Sequence, residues 1–151
     1  MTIDQITIHR ATISDIDQVA RLFDAYREFY GKSRDISLSK DFLRDRINSE
    51  ESTILFARIK DECVGFVQLY PLFSSVRTTR LLVLNDLFVD PLHRQKGVAK
   101  QLIESTVVEA RASNCGGMIL ETTEDNVRAQ SLYKTLGWVE ESGVKHYSLD
   151  L

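Results

Sequence analysis

Apolar and polar positions alternate along Ile6–Arg10, the period-two pattern of a half-buried strand. The period then changes. Ile16, Val19, Ala20, Phe23 and Tyr30 recur at helical spacing behind Ser14, a residue type that caps helix N-termini. Gly31 stands where a left-handed residue ends such a helix. A shorter second helix is predicted over residues 39–48, with Phe42, Leu43 and Ile47 facing inward. Residues 53–60 and 63–69 read as strands, and the tight polar turn Lys60-Asp61-Glu62 predicts that they pair antiparallel.

After Pro71 a polar stretch, residues 74–79, leads into Leu81-Leu82-Val83-Leu84-Asn85-Asp86-Leu87-Phe88-Val89. That run is apolar except for one amide and one carboxylate, as expected of a strand buried on both faces. Pro91 stops it, and a helix follows over 97–112 with Val98, Ala99, Leu102, Ile103 and Val107 on its inner side. A further strand is predicted over 117–122. A helix over 127–136 aligns Ala129, Leu132, Tyr133 and Leu136 and is capped by Gly137. Residues 138–141 and 144–149, either side of Gly143, read as short antiparallel closing strands. The order βα(α)βββαβαββ predicts an α/β fold: a three-layer sandwich about a mixed, mostly antiparallel central sheet, with one right-handed strand–helix–strand crossover. A single domain over 1–151 is expected, because 151 residues with 43% hydrophobic content are enough for one continuous core.

Charge narrows the function. With 19 basic against 22 acidic residues the net charge is −3, which argues against a nucleic-acid partner and leans weakly toward a cationic one. The opening residues Met1-Thr2-Ile3-Asp4-Gln5 carry no basic start or apolar run, and no stretch is long and apolar enough to span a membrane. A cytoplasmic protein is expected. Cys63 and Cys115 lack the spacing of a disulfide or zinc framework and are expected to be free thiols. His9, His93 and His146 have no ligand spacing, so no metal is expected, and the absence of a Gly-x-Ser-x-Gly elbow argues against a serine hydrolase.

The chemistry concentrates where the buried run ends. Residues 84–100 take the chain from a strand through a short loop into a helix at Gly97, so unpaired backbone N–H groups converge on one small space. The helix dipole contributes about half a positive charge there, Gly97 permits close approach, and Arg94, Lys96 and Lys100 add cations. A pyrophosphate suits this place. Neither the Gly-x-x-x-x-Gly-Lys-Ser/Thr of nucleotide loops nor the triple glycine of dinucleotide folds is present.

The segment Arg94-Gln95-Lys96-Gly97-Val98-Ala99 resembles the Arg/Gln-x-x-Gly-x-Gly/Ala signature of the GNAT acetyltransferase superfamily. The resemblance extends to residues 126–138 and to Arg10-Ala11-Thr12 with the acidic helix start that follows, and so covers most of the chain. It implies an acyl-CoA N-acyltransferase fold and transfer of acetyl from acetyl-CoA to an amine. Residues 84–89 and 128–133 look most like the diamine and histone/polyamine branch. By the same resemblance Leu87, Phe88 and Val89 flank a splay in the sheet that binds the pantetheine arm. Arg94, Gln95, Lys96, Gly97, Val98, Ala99 and Lys100 cradle the pyrophosphate, while Asn126, Arg128 and Ala129 contact the coenzyme from a second helix.

Tyr133 is similar to the tyrosine that protonates the departing thiolate, and a phenol with pKa about 10 can do this for a thiolate near 8.5. Asp86 is expected to bind the amine or to act as a base through water, because a carboxylate within an apolar strand needs a partner. The branch has an acidic pair where this chain has Asn85-Asp86. Phe29, Tyr30 and Glu121 are implied in the substrate pocket, whereas Glu28 and Glu124 read as solvated surface charges. Direct transfer in a ternary complex to a polyamine, lysine-like amine or basic peptide is expected, and a homodimer is expected from the free edge of the closing strands. The alternative is a module that senses acyl-CoA without transferring from it.

Overall fold

The computed structural model describes residues 4–151, so the first three residues of the opening segment read above lie outside the described residues. The chain divides into two compact units, the first ending at Glu121 and the second being Thr122–Leu151.

The first unit holds a five-stranded sheet in the order β1 (Ile6–Arg10), β2 (Thr53–Ile59), β3 (Glu62–Ser74), β4 (Thr79–Val89), β5 (Gly117–Leu120). Every pairing is antiparallel except that of β4 with β5, which is parallel and requires a helical crossover. Helices α1 (Ile16–Phe29) and α2 (Ile36–Asn48) pack together, and α1 lies on one face of the sheet. The crossover helix α3 (Val98–Ala112) lies on the other face. The core on the α1 face joins Val19, Leu22 and Phe23 to Leu43 of α2, Ile54 and Phe56 of β2, Phe66 of β3 and Phe88 of β4. On the opposite face α3 sits close because Gly65 lacks a side chain: a Cβ there would meet Val98 Cγ1 at 3.1 Å and Leu102 Cδ1 at 3.3 Å. The layered α/β fold and mixed sheet agree with the sequence reading.

Several boundaries differ from it. Ser14 does not cap the first helix: Asp15 stands at the N-cap of α1, and Thr12 at that of a preceding turn. A single 3-10 turn, Ile13–Asp15, intervenes, and the Asp15 carboxylate accepts from the Thr12 backbone N–H at 2.8 Å and from the Thr12 hydroxyl at 3.1 Å. Helix α2 begins three residues before Ser39. Asp35 caps it by accepting from Leu38 N–H, and buried Asp24 of α1 accepts from both Asp35 N–H and the Ser39 hydroxyl. Strand β3 runs on past Leu69 through Pro71 to Ser74, and β4 starts at Thr79, so these two form a long hairpin closed by residues 75–78.

In the second unit α4 (Val127–Thr135) is capped by Asn126, whose side chain accepts from Ala129 N–H at 3.3 Å. Gly137, at φ +90°, follows its end. The predicted closing strands 138–141 and 144–149 do not form among the described residues. Their sequences explain this: Trp138-Val139 is followed by two adjacent glutamates, and Val144, Tyr147 and Leu149 do not keep a period of two. A two-stranded hairpin this short is marginal by itself. The closing-strand edge on which the homodimer expectation rests does not form among the described residues.

Candidate active site

Strand β4 positions the site through two irregularities. The first is on its β3 side. Gln68 pairs with Asp86 but Leu69 pairs with Leu84, so Asn85 is an extra, bulged residue. Without the bulge Asp86 would share the α3 face with Leu84; with it, Asp86 turns to the α1 face beside Gln68, Phe66 and Phe88. The second irregularity is on the β5 side. The parallel ladder covers only Leu81 to Leu84, opposite Gly117 to Leu120. From Asn85 onward β4 keeps β3 on one edge and no strand on the other among the described residues. Asp90 N–H donates to Val64 O at 2.8 Å on the β3 side, so by strand alternation the N–H groups of Leu87 and Val89 point to the open edge. Leu87, Phe88 and Val89 all lie on this one-sided stretch of β4. Glu121 is the residue immediately beyond the last pair of that ladder.

Asp86 is only 5% exposed. Its Oδ2 accepts from Gln68 Nε2 at 2.7 Å and its Oδ1 from Asn85 Nδ2 at 3.0 Å. Hydrogen bonds to an ionised acceptor are worth about 1.5–3 kcal/mol each, which offsets the cost of burying the charge. The Tyr26 phenol lies against the same carboxylate. Burial first, and the Asp86 charge second, push that phenol well above the ordinary tyrosine range, so it stays a hydrogen-bond donor. Tyr70, two residues along from Gln68, is pushed up to about 12 by the same two causes. From this floor a series of edge-on rings leads outward. Tyr26 meets Phe88 at 6.2 Å and Tyr30 at 5.0 Å, and Tyr30 meets Phe29 at 5.3 Å. Tyr30 is 55% and Phe29 69% exposed. Gln68, Tyr26 and Tyr70 escaped the sequence reading because each looks like an ordinary member of a strand or helix stripe. Only the cross-strand register brings them to Asp86.

Beyond β4, Pro91–His93 forms a 3-10 turn capped by Asp90, which accepts from Leu92 N–H at 3.0 Å. Arg94 is more committed than a free phosphate cation: its Nε donates to Val89 O at 3.0 Å and its guanidinium lies 5.5 Å over the Phe88 ring. It ties the turn to the open end of β4. Gln95 (φ +62°) and Gly97 (φ +84°) are both left-handed, the alternation that gathers successive backbone N–H groups into an anion-binding hollow. No side chain caps α3, and its ladder begins with Gln101 N–H to Gly97 O at 3.1 Å. The N–H groups of Val98, Ala99 and Lys100 precede it and have no intrahelical acceptor. With Lys96 and Lys100 nearby in sequence, the donor set fits a pyrophosphate.

Register also gathers residues that spacing keeps apart. Ligand atoms of Glu62, Asp90 and His93 lie within 4.8 Å of one another, with His93 Nε2 at 3.7 Å from Glu62 Oε2. Arg21 shares this corner, donating to Cys63 O at 2.8 Å and approaching Asp90 Oδ2 at 3.5 Å. Burial pushes the Cys63 thiol up to about 11, against the opposing pull of Arg21. Glu28 pairs with Arg34 at 2.8 Å as a surface charge. In the second unit the Tyr133 ring stands 6.1 Å from Trp138, and Trp138 N–H donates to Tyr133 O. Asn126 serves as the helix cap. Arg128 lies in the first turn of α4.

A strand left open on one edge, followed by a backbone anion hollow at a helix start in a three-layer sandwich, is the arrangement that the family resemblance assigns to acyl-CoA-dependent acyltransferases. The profile of the Acetyltransferase (GNAT) family matches residues 19–138. The "Uncharacterized N-acetyltransferase YhfO" of Bacillus subtilis (strain 168) is 40% identical over 97% of this chain and 98% of its own length. A crystal structure of a probable acetyltransferase is 37% identical over 96% of this chain and 97% of that one, with a TM-score of 0.89. An aminoglycoside N-acetyltransferase crystallised with CoA shares the fold at a TM-score of 0.83, at 19% identity over 97% of this chain and 96% of that one. The chain belongs to the GNAT family, and it is an acetyl-CoA-dependent N-acetyltransferase. Among the described residues no helix is long and apolar enough to cross a membrane.

Proposed function

We propose that the acceptor is a primary alkylamine of the polyamine, lysine-like or basic-peptide type, acetylated by direct transfer in a ternary complex. One observation carries this reading: Asp86 is a buried carboxylate, turned by a bulge to the end of an aromatic series that opens at Phe29 and Tyr30. Aromatic faces and a buried anion select for a cation.

An alkylammonium must lose a proton before it attacks, at a cost of roughly 4 kcal/mol near pH 7.4. Asp86, directly or through one water, takes that proton, and Glu121 lies at the rim of the splay. The amine nitrogen then bonds to the acetyl carbonyl carbon while the outward N–H groups of Leu87 and Val89 receive the developing oxyanion. The carbon–sulfur bond breaks, and Tyr133 gives its proton to the CoA thiolate. The second proton, leaving the amide nitrogen, returns through water to the Tyr133 phenolate, while the first passes from Asp86 to solvent. The hollow formed by Gln95, Lys96, Gly97, Val98, Ala99 and Lys100 holds the pyrophosphate, with Asn126, Arg128 and Ala129 contributing from α4. A likeness to the diamine and histone/polyamine branch supports the same acceptor class.

The test is thiol release from acetyl-CoA with a panel of polyamines, lysine analogues, aminoglycosides and a histone-tail peptide, with product mass confirmed. Turnover of extended alkylamines supports the reading. Turnover confined to aminoglycosides overturns the acceptor class, and saturable acetyl-CoA binding with no turnover favours the sensor.

A further inference from the structure

The Gln68 side chain has an orientation fixed by chemistry. A carboxylate only accepts, so the amide must present Nε2 to Asp86 Oδ2, as it does at 2.7 Å, and its Oε1 must face away. Gln68 is 0% exposed, and Oε1 is buried without a hydrogen-bond partner. A buried acceptor left so is costly, and such an atom in the middle of a sheet calls for a donor. Gln68 lies on β3 directly opposite Asp86, on the α1 face with Phe66, whose ring meets that of Tyr26 at 6.0 Å. Asp86 itself has little capacity to spare. Of its roughly four lone-pair sites, Gln68 and Asn85 occupy one on each oxygen and Tyr26 faces the group.

Resting on the proposed amine acceptor, we propose that Gln68 Oε1 accepts an N–H of the incoming amine, making Gln68 a substrate-binding residue that selects primary over secondary amines. With its lone pair aimed at the thioester carbon, a primary amine presents two N–H groups, one for Asp86 and one for Gln68. An N-methylated amine presents one and leaves an acceptor unpaired. Discrimination then arises from an unsatisfied buried polar group, the kind that separates substrates most sharply.

The experiment compares steady-state parameters for one alkylamine and its N-methyl counterpart in wild type, Gln68→Met and Tyr26→Phe. Wild type is expected to favour the primary amine by at least about tenfold in kcat/KM. Gln68→Met, similar in length but without the amide, should raise the primary amine's KM by about tenfold or more, leave the acetyl-CoA KM unchanged and reduce the preference to within about threefold. Tyr26→Phe removes a donor to Asp86 and keeps Oε1, so it should slow both amines alike and preserve the preference. Loss of preference in both variants would mean that Gln68 acts only by orienting Asp86, and would overturn the inference. So would a wild type that treats the two amines within twofold, a result that needs no variant to fold. Wild type silent on every amine would overturn the acceptor reading as well, whereas turnover without preference overturns this inference alone.

Discussion

On the α1 face of β4, polar groups meet one another through side chains: Asp86 and Gln68 are buried against each other, half-buried Tyr26 lies against the same carboxylate, and the exposed bulge residue Asn85 donates to it. Past the end of the same strand the groups proposed to hold the coenzyme are backbone, gathered by the left-handed Gln95 and Gly97 and by the uncapped start of α3. The first arrangement specifies a partner through the identity of side chains, and the second through the path of the chain. Side-chain substitutions should therefore be severe on the acceptor side and mild on the coenzyme side, where only a change of backbone conformation matters much.

The largest effect tests that contrast directly. Asp86→Asn keeps the shape and removes the charge, so kcat/KM for the amine should fall by about 10²–10⁴-fold while acetyl-CoA affinity stays within twofold. Steady-state kinetics with titration of acetyl-CoA would check it. A loss shared equally by both substrates would erase the distinction between the two sides. Tyr133→Phe is expected to lower kcat by about a hundredfold and to leave both KM values near wild type, because it removes a proton donor and little binding. Unchanged turnover would withdraw the acid role from Tyr133.

On the coenzyme side the informative change is Gly97→Ala. A Cβ there meets nothing within 4 Å, so no clash confuses the result, but φ is +84°. Holding an L-residue in that region costs about 1–2 kcal/mol. The prediction is acetyl-CoA binding weakened by about 5- to 30-fold with amine discrimination intact, measured by calorimetry. Lys96→Ala should weaken it by only a few-fold.

The same contrast explains what could be read before the fold was known. The turn into α3 was legible because its information is local: a strand, a glycine and cations lie within residues 84–100. The layered fold was legible from period, since the Ile16, Val19, Phe23 stripe and the 81–89 run specify their own burial. The acceptor floor was mostly hidden. Asp86 stood out as a charge in an apolar strand, but Gln68 is distant in sequence and joins it only through a bulge that reverses the face Asp86 would otherwise occupy. Asp24 shows the same limit, because its bond to the Ser39 hydroxyl and the Asp35 backbone moves the start of α2. The closing strands failed for the opposite reason: residues 144–149 have strand-forming types without the alternation that would bury one side.

Tyr26 and Tyr70 give the acceptor side a pH signature. Both phenols titrate higher in the fold than in an open chain, Tyr70 at about 12, so between about pH 10 and 12 the unfolded chain loses protons that the native one keeps. Their contribution is fully present below about pH 10 and is lost as pH rises through the folded values. Urea denaturation should show stability declining across that window, and Tyr70→Phe should shallow the decline. A slope untouched by this substitution would mean that Tyr70 is as free in the fold as outside it.

The smallest predicted effect concerns Cys63, a nucleophile within the same sheet that the mechanism does not use. Its thiol, buried and held at about 11, is ionised only to about one part in a thousand at pH 8, and Arg21 spends its NH2 donor on the Cys63 carbonyl rather than on the sulfur. An acyl-enzyme through Cys63 would need a thiolate that burial suppresses, whereas direct transfer needs none. Cys63→Ala combined with Cys115→Ala should therefore leave kcat within twofold. The lost core volume at Cys63 should lower Tm by only a few degrees, on the scale of about 2–4 °C per kcal/mol for a chain of this size. If turnover vanished while the melting transition remained, the acetyl group would pass through sulfur, and the division between a side-chain acceptor site and a backbone coenzyme site would need a third, covalent station.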